Sequence, residues 1–241
     1  MTRHVTDLLR LTGVTKDYGG LRAVANLTLT FDADQMTAII GPNGAGKTTL
    51  FSMIAGTVAP SAGRIAFRAR DITGLRPDRI CRLGIARTFQ IVRPFWNLDV
   101  RDHLRAAAAF GGHRNLSARE VNEILDLTGL AGRAADRPRA LTLAGCKRLE
   151  IARALATGAR LLLLDETMAG LTPEETREAI ALVRHIRESG RSVMLIEHVL
   201  RAVTDLCDRA IVLDYGEVIA DGAPAGVLVD PGVRKAYLGE D

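Results

Sequence analysis

Residues 41–48 have the types and the spacing of a phosphate-binding loop. They read Gly-Pro-Asn-Gly-Ala-Gly-Lys-Thr, which matches the pattern G-x-x-x-x-G-K-[ST] in full. Glycines at both ends let the backbone curl so that several N–H groups point at one phosphate chain. Lys47 adds a positive charge for the outer phosphates, and the Thr48 hydroxyl can bind Mg²⁺. The residues predicted to bind a nucleoside triphosphate are Gly41, Pro42, Asn43, Gly44, Ala45, Gly46, Lys47 and Thr48.

The segments on either side of this loop favour phosphate binding over a glycine-rich turn that binds nothing. Met36–Ile40 is predicted to be a short buried strand, and Lys47–Ala55 has the helical spacing of apolar residues. A phosphate loop requires strand, loop and helix in this order. The local context therefore agrees with the motif.

The composition of the 241 residues bounds the classes of partner. The net charge is +4 and the pI is about 9.2, but basic and acidic residues are interspersed, so no nucleic-acid partner is expected. Cys81, Cys146 and Cys207 are far apart, which fits neither a disulfide framework nor a C-x-x-C metal pair and indicates a reducing compartment. The longest apolar runs are far short of the ~20 residues that span a bilayer.

Apolar periodicity predicts a β-rich first quarter, a helical middle part from about Pro77 to Gly132, and an alternation of helices and strands beyond it. The alternation indicates a parallel sheet covered by helices. Capping boxes are predicted at Ser117-x-x-Glu120 and Thr172-x-x-Glu175. The other predicted elements are strands around Val24–Phe31 (with a slipped alternation), Gly63–Phe67, Leu161–Leu164, Ser192–Ile196 and Ala210–Leu213, and helices Arg101–Phe110, Lys147–Ala156 and Pro173–Glu188.

Two of these strands end in residues that can take part in phosphate chemistry. Leu161–Leu164 is followed by Asp165 and Glu166, and a buried parallel strand delivers its C-terminal end to the ligand crevice. Asp165 is the predicted metal-side carboxylate, acting through water, and Glu166 the predicted base for the attacking water. Such a pair alone is more often an ordinary helix cap, and the upstream phosphate loop reverses that balance. His198 follows strand Ser192–Ile196, where contact with the γ-phosphate or the water is favoured over a structural role.

Together these motifs resemble the nucleotide-binding subunit of ABC transporters over nearly the whole chain. Residues 41–48 correspond to Walker A, residues 161–166 to Walker B, residues 88–90 to the Q-loop and His198 to the switch histidine. The resemblance implies a P-loop NTPase of the α/β class with a mostly parallel core sheet, an antiparallel β subdomain and a helical subdomain. It implies one domain over residues 1–241, with the core and β subdomain at about 1–86 and 158–241 and the helical subdomain at about 87–157.

The resemblance also assigns roles in binding and hydrolysing ATP with Mg²⁺. Tyr18 is expected to stack on adenine, and Gln90 to contact Mg²⁺ and the attacking water while sensing the membrane partner. The catalytic residues are Glu166, His198 and Gln90, and the Mg²⁺ ligands are Thr48, Gln90 and Asp165. The remaining assignments are Val24 and Thr49 in ATP binding, Ala169, Gly170 and Leu171 in the D-loop, and Leu141, Thr142, Leu143, Ala144 and Gly145 in the signature motif that faces the ATP of the other subunit.

Residues 84–90, 148–155, 212–216 and 236–239 resemble the ATPase subunits of branched-chain amino-acid importers more closely still. Such importers pair two related ATPase chains with two membrane permease subunits and a periplasmic binding protein. The resemblance implies a homo- or heterodimer, located in the cytoplasm on the inner face of the plasma membrane through the permeases. Ile91, Phe95 and Trp96 are the expected docking cluster, and the alternative is that Trp96 fills a gap in the core.

The signature motif departs from the family's Leu-Ser-Gly-Gly-Gln. Thr142 keeps the hydroxyl, but Leu143 and Ala144 replace the glycines and Gly145 the glutamine. A methyl group at Ala144 is expected to limit φ and to hold the phosphate farther away. Beside Lys147 and Arg148, Cys146 has either a lowered thiol pKa or an inert packing role, and inert packing is favoured.

The predicted function is ATP hydrolysis that energises branched-chain amino-acid uptake. The nearest alternative keeps the ATPase and changes the cargo to urea, short amides or lipopolysaccharide. A second alternative is a non-transport ATP-binding protein that is regulatory or acts on the ribosome or DNA, which the single compact cassette opposes. A third is a nucleotide-binding module with negligible turnover, motivated by Ala144 and opposed by Glu166 and His198.

Overall fold

The computed structural model describes residues 7–89, 94–112 and 116–238. The chain divides into two compact units. One comprises Met1–Pro77 together with Ser192–Asp241, and the other comprises Asp78–Arg191. The division into subdomains predicted from the sequence has other boundaries and stays a prediction.

The first unit contains two sheets. Its elements are β1 (Asp7–Tyr18), β2 (Leu21–Asp32), β3 (Thr37–Ile40), α1 (Lys47–Ile54), β4 (Ala62–Phe67), β5 (Arg70–Asp71), β8 (Ser192–Ile196), α7 (Leu200–Leu206), β9 (Arg209–Asp214), β10 (Glu217–Gly222), α8 (Pro224–Val227) and α9 (Pro231–Leu238). An antiparallel sheet has the strand order β2-β1-β4-β5, and in the second sheet β10, β9, β3 and β8 are neighbours in this order. Strand β3 is parallel to both β8 and β9.

The slipped alternation predicted in β2 has a structural cause. Asn26 has a left-handed φ of 50°, and the pairing of β1 with β2 shifts register near this point, between Leu11 and Val14 and again between Val14 and Lys16. Between Val14 and Lys16 the extra residue lies in β2, between Val24 and Leu27, so Val24 returns to the face of Leu27, Leu29 and Phe31. All four side chains are therefore buried.

The elements of the second unit are β6 (Ile85–Arg87), α3 (Val100–Phe110), α4 (Ala118–Leu127), α5 (Leu143–Ala156), β7 (Leu161–Asp165) and α6 (Pro173–Glu188), and α2 (Pro77–Leu83) starts at the border of the unit. Strands β6 and β7 pair in parallel, and α5 packs against both. Strand β7 is buried along its whole length, as its unbroken apolar sequence predicts. The helical core consists of Val100, Leu104, Val121, Leu125, Leu130, Leu149, Ala152 and Ala156.

The local signals in the sequence place most of these elements. Both predicted capping boxes are present, at Ser117 before α4 and at Thr172 before α6. Helix α6 has the predicted bounds, whereas α5 begins at Leu143, four residues before its predicted start at Lys147. The α/β class with parallel and antiparallel sheets and a helical part is confirmed. Among the described helices, none has the length and apolar character needed to span a bilayer.

A buried histidine connects α3 to the segment before it in the second unit. The N–H of Phe95 donates to Nε2 of His103 at 2.9 Å, so the ring proton is on Nδ1, which donates to the carbonyl oxygen of Asp99 at 2.7 Å. Protonation would place a second proton opposite the Phe95 N–H group. Burial lowers the pKa of His103, and the hydrogen bond to Asp99 opposes this effect.

We therefore expect acid to destabilise the chain through His103. In the unfolded chain a histidine has a pKa of about 6.5. Because the folded pKa is lower, the stabilisation is complete above about pH 6.5 and is lost as the pH falls through the folded value. Urea unfolding measures the free energy of unfolding at pH 7.5 and at pH 5. The decrease between these two pH values should be smaller in His103→Gln than in the wild type. The exposed His185, changed to Gln, serves as control, and an equal pH dependence in all three chains would contradict the assignment.

Candidate active site

The phosphate loop between β3 and α1 has the backbone geometry that its glycines predict. Gly41, Gly44 and Gly46 have φ values of 144°, 84° and 99°, which residues with side chains rarely adopt. A Cβ atom at Gly41 would lie 2.0 Å from the carbonyl oxygen of Leu213, and one at Gly46 would lie 2.3 Å from that of Ala23. The first and last glycines are therefore required by close packing as well as by conformation.

Two neighbouring segments of the first unit hold the loop in place. The turn between β9 and β10 donates from the N–H of Gly216 to the carbonyl oxygen of Ala45 at 3.1 Å. The carbonyl oxygen of the same Gly216 accepts from the N–H of Ala25 on β2 at 2.9 Å. Gly216 thus joins β2 to the phosphate loop, because its N–H bonds the loop and its carbonyl oxygen bonds β2.

Lys47 is almost completely buried, with 5% of its surface exposed. Its Nζ donates to the carbonyl oxygens of Gly41 and Pro42 at 2.7 and 2.8 Å. The ammonium group is therefore held inside the curve of the loop. Thr48 is exposed and Thr49 half-buried at the N-terminus of α1, where unpaired N–H groups and the helix dipole favour an anion.

The residues predicted to contact adenine differ in exposure. Tyr18 ends β1 and is 45% exposed, and the Nζ of Lys16 lies 5.0 Å from the centre of its ring. The Tyr18 ring is therefore partly accessible to solvent. Val24 is fully buried and lies beside Gly46, so its predicted contact with ATP stays a prediction.

The switch-histidine candidate lies at the same sheet edge as the phosphate loop. Ile39 of β3 pairs with Ile196 of β8 in parallel register, so Gly41 and His198 both follow two residues beyond this pair. His198 is exposed. The first unit therefore brings the loop and His198 to one edge, as the parallel strands predict.

In the second unit, β7 ends in a buried ion pair. Asp165 is the last residue of β7, and its Oδ2 accepts from Nη2 of Arg87 on β6 at 2.7 Å. The adjacent Thr88 makes two hydrogen bonds to β7. Its N–H donates to the carbonyl oxygen of Leu163 at 2.9 Å, and its Oγ1 accepts from the N–H of Asp165 at 3.1 Å. Both Arg87 and Asp165 are nearly inaccessible, so the Asp165 carboxylate is fixed in orientation.

The predicted catalytic base follows directly. Glu166 is half-buried and has a left-handed φ of 48°. Its carbonyl oxygen accepts from Nζ of Lys147 on α5 at 2.8 Å. The strand therefore turns sharply at the residue whose carboxylate is expected to act.

The signature motif forms the start of α5. Thr142 is the N-cap, and its Oγ1 accepts from the N–H of Gly145 at 3.1 Å. Leu141 is half-buried, Leu143 exposed and Ala144 buried. Ala144 lies inside the helix, where alanine is the most favourable residue, so the expected restriction of φ does not apply. Its effect on the distance to a phosphate stays a prediction.

The D-loop candidates lie between β7 and α6. Ala169 and Gly170 are exposed and Leu171 half-buried, and Gly170 has a φ of 75°. A Cβ atom at Gly170 would lie 3.4 Å from Cδ2 of Leu143, so the D-loop adjoins the signature motif in this unit.

Some predicted residues lie outside the described part of the chain or differ from expectation. Gln90 and Ile91 are not among the described residues. Phe95 and Trp96 are about half exposed, at 52% and 51%, so the alternative that Trp96 fills a gap in the core is wrong. Arg153 lies over the Phe95 ring at 5.3 Å.

The suggestion of a lowered thiol pKa at Cys146 is also wrong. Burial raises the pKa of Cys146, and the charge of Glu150 raises it further. The thiol lies 3.6 Å from the carbonyl oxygen of Pro138. Inert packing, the favoured alternative, agrees with this environment.

Each unit has an oxygen ligand of a type that Mg²⁺ prefers. In the first unit this is the hydroxyl of Thr48, and in the second unit it is the carboxylate of Asp165. Among the described residues there is no cluster of three or more His, Cys, Asp or Glu side chains that could hold a metal.

Three contacts of the candidate residues have no signal in the sequence. In the second unit these are the bonds of Arg87 to Asp165 and of Lys147 to Glu166. Tyr237 of α9 accepts the N–H of Gly41 on its hydroxyl at 2.8 Å, across 196 residues. No local signal predicts such pairs, because periodicity and motifs describe neighbours along the chain.

Comparisons with known proteins agree with these features. The model of the family described as ABC transporter matches residues 24–169, and that of the family described as Branched-chain amino acid ATP-binding cassette transporter matches residues 217–241. The chain is 37% identical to the branched-chain amino acid transport ATP-binding protein BraF of Pseudomonas aeruginosa, covering 97% of this chain and 98% of BraF. It is 36% identical to LivG of Escherichia coli, a protein of the same description, with the same coverage.

A solved structure shows the same fold. The ADP conformation of MJ1267, an ATP-binding cassette of an ABC transporter, superposes with a TM-score of 0.88 at 28% identity. The alignment covers 97% of this chain and 99% of that cassette.

The second family match contains Tyr237, which yields a prediction for the phosphate loop. Burial raises the pKa of Tyr237, and the hydrogen bond from Gly41 opposes this effect. Tyr237→Phe removes one hydrogen bond to the loop, and the dissociation constant for MgATP should rise about fivefold. Tyr215, which is 87% exposed, provides the control Tyr215→Phe. Calorimetric titration that gives both variants the wild-type affinity would contradict this contribution.

Proposed function

The chain belongs to the ABC transporter family of ATP-binding subunits, and we propose that the ATP it hydrolyses drives uptake of branched-chain amino acids. The observation that carries the proposal is the match of residues 217–241 to the family described as Branched-chain amino acid ATP-binding cassette transporter. This C-terminal segment contributes Tyr237 to the phosphate loop. Full-length similarity to BraF and LivG supports the same cargo.

Binding of ATP is the task of the first unit in this proposal. The N–H groups of residues 44–48 surround the phosphates, and Lys47 exchanges its carbonyl partners on the loop for the outer phosphate oxygens. Tyr18 stacks on adenine with its partly exposed ring. Thr48 contributes its hydroxyl to Mg²⁺, which, when bound, neutralises phosphate charge.

Hydrolysis requires a group that orients water and accepts its proton. Glu166 is proposed for this role, because it follows a rigid buried strand and its backbone is fixed by Lys147. Asp165, held by Arg87, is the proposed metal-side carboxylate. His198 is proposed to contact the γ-phosphate, and Gln90, outside the described residues, to contact Mg²⁺ and the attacking water.

The proposed partners follow from the exposed groups of the second unit. Thr142 and the N-terminus of α5 are offered to the ATP of a facing ATPase subunit, in a homo- or heterodimer. The exposed rings of Phe95 and Trp96 are proposed to dock a membrane permease subunit at the inner face of the plasma membrane. A periplasmic binding protein would act through these permeases.

The alternatives make different demands. An ABC ATPase for urea, short amides or lipopolysaccharide would use the same chemistry with other membrane subunits, so only transport can distinguish it. For a nucleotide-binding module with negligible turnover, the motivation is Ala144. Because Ala144 lies in helix α5, the expected restriction of φ does not apply, and this alternative is weaker.

Uptake in cells that lack the gene for this chain tests the cargo. Restoring the wild-type chain should restore uptake of radiolabelled leucine, whereas Glu166→Gln should leave it at least about tenfold lower, since it removes the proposed base. Glu174→Gln, which neutralises an exposed residue of α6, is the matched control and should restore uptake. Unchanged leucine uptake with lost urea uptake in the deleted cells would favour the alternative cargo and contradict the proposal.

A further inference from the structure

The ammonium group of Lys147 is buried in the second unit, which is unusual for a lysine. Lys147 lies one turn into α5 and is 7% exposed. A buried charge is unfavourable unless it makes strong hydrogen bonds. Its Nζ donates at 2.8 Å to the backbone carbonyl oxygen of Glu166, 19 residues further along the chain.

The acceptor of this hydrogen bond belongs to a strained residue. Glu166 has a φ of 48°, which is uncommon for a residue with a side chain and costs energy. Such a conformation persists only where the surroundings hold it. The carbonyl oxygen of Glu166 also accepts from the N–H of Ala169 at 3.3 Å, so Lys147 and Ala169 together fix the plane of this peptide.

The peptide plane and the φ angle of a residue determine the direction in which its side chain leaves the backbone. Asp165 precedes this peptide on a fully buried strand and is itself fixed by Arg87. The Glu166 side chain therefore leaves a backbone that is held on both sides. The hydrogen bond from Lys147 is charge-assisted, which makes it roughly twice as strong as one between neutral groups.

We propose that Lys147 is a positioning residue for the carboxylate of Glu166 in ATP hydrolysis. The ammonium group holds the left-handed turn after β7 and thereby aims the base. This inference rests on the proposed role of Glu166. It also links α5, the helix that begins with the signature motif, to the base of the same chain.

The test compares two replacements of similar length with the wild-type chain. Lys147→Met removes the donor and should lower kcat for MgATP about tenfold, the order expected for a lost charged hydrogen bond, with KM unchanged. Lys147→Gln keeps an N–H donor but loses the charge, so it should lower kcat by about threefold. Arg148→Met removes a charge from the next residue of α5, whose partner is Glu178, and should leave kcat within twofold.

A double-mutant cycle separates positioning from a purely structural role. In the Glu166→Gln chain the carboxylate is absent, so Lys147→Met and Lys147→Gln should cause no further loss of the residual turnover in single-turnover assays. If Lys147→Met does not fold, the test uses Lys147→Gln alone. A loss of turnover that Lys147→Gln causes in the chain with Glu166, but not in the Glu166→Gln chain, supports positioning.

Three results would overturn the inference. One is a wild-type kcat in folded Lys147→Met, the second is a loss that persists undiminished in the Glu166→Gln chain, and the third is a kcat of Lys147→Gln at or above the wild-type value when Lys147→Met does not fold. Full turnover in Glu166→Gln alone would instead remove the proposed role of Glu166, so the two failures are distinguishable.

Discussion

The phosphate loop depends on the close approach of backbone segments that leave no room for side chains. A Cβ atom at Gly46 would lie 2.3 Å from the carbonyl oxygen of Ala23, and one at Gly41 would lie 2.0 Å from that of Leu213. Gly216 then bonds both the loop and β2. Because these contacts come from β2 and β9, the loop is shaped before any ligand is bound, which lowers the entropy cost of binding phosphate.

In the second unit, two acidic residues are fixed at the end of an apolar strand. Strand β7 is buried and rigid, and long basic side chains from other elements fix the orientation of these two residues. Arg87 holds the Asp165 side chain, and Lys147 holds the Glu166 backbone. Two adjacent acidic residues of similar chemistry are thus held in different ways, one by its carboxylate and one by its peptide group.

The sequence predicts features that depend on residues close along the chain, and it does not predict contacts between residues that are far apart in the chain. The glycine pattern, the apolar strand β7 and the capping box at Thr172 are local, and the structure agrees with them. Strands β1 and β6 were not predicted, since short or irregular strands carry weak periodicity. The contact of Tyr237 with Gly41 and the raised pKa of Cys146 depend on tertiary packing. Similarity to known families supplied the roles that geometry alone does not assign.

Calorimetric titration of MgATP into Gly46→Ala tests most directly whether the packed glycine backbone makes the nucleotide site. A Cβ atom at Gly46 meets the Ala23 carbonyl oxygen at 2.3 Å, whereas Gly74, which also has a positive φ of 65°, has open space around it. Gly74→Ala therefore also places a side chain at a positive φ, but without the steric clash with a carbonyl oxygen. The account predicts a loss of affinity of roughly 100-fold or more in folded Gly46→Ala and wild-type affinity in Gly74→Ala. Wild-type affinity in Gly46→Ala would contradict it.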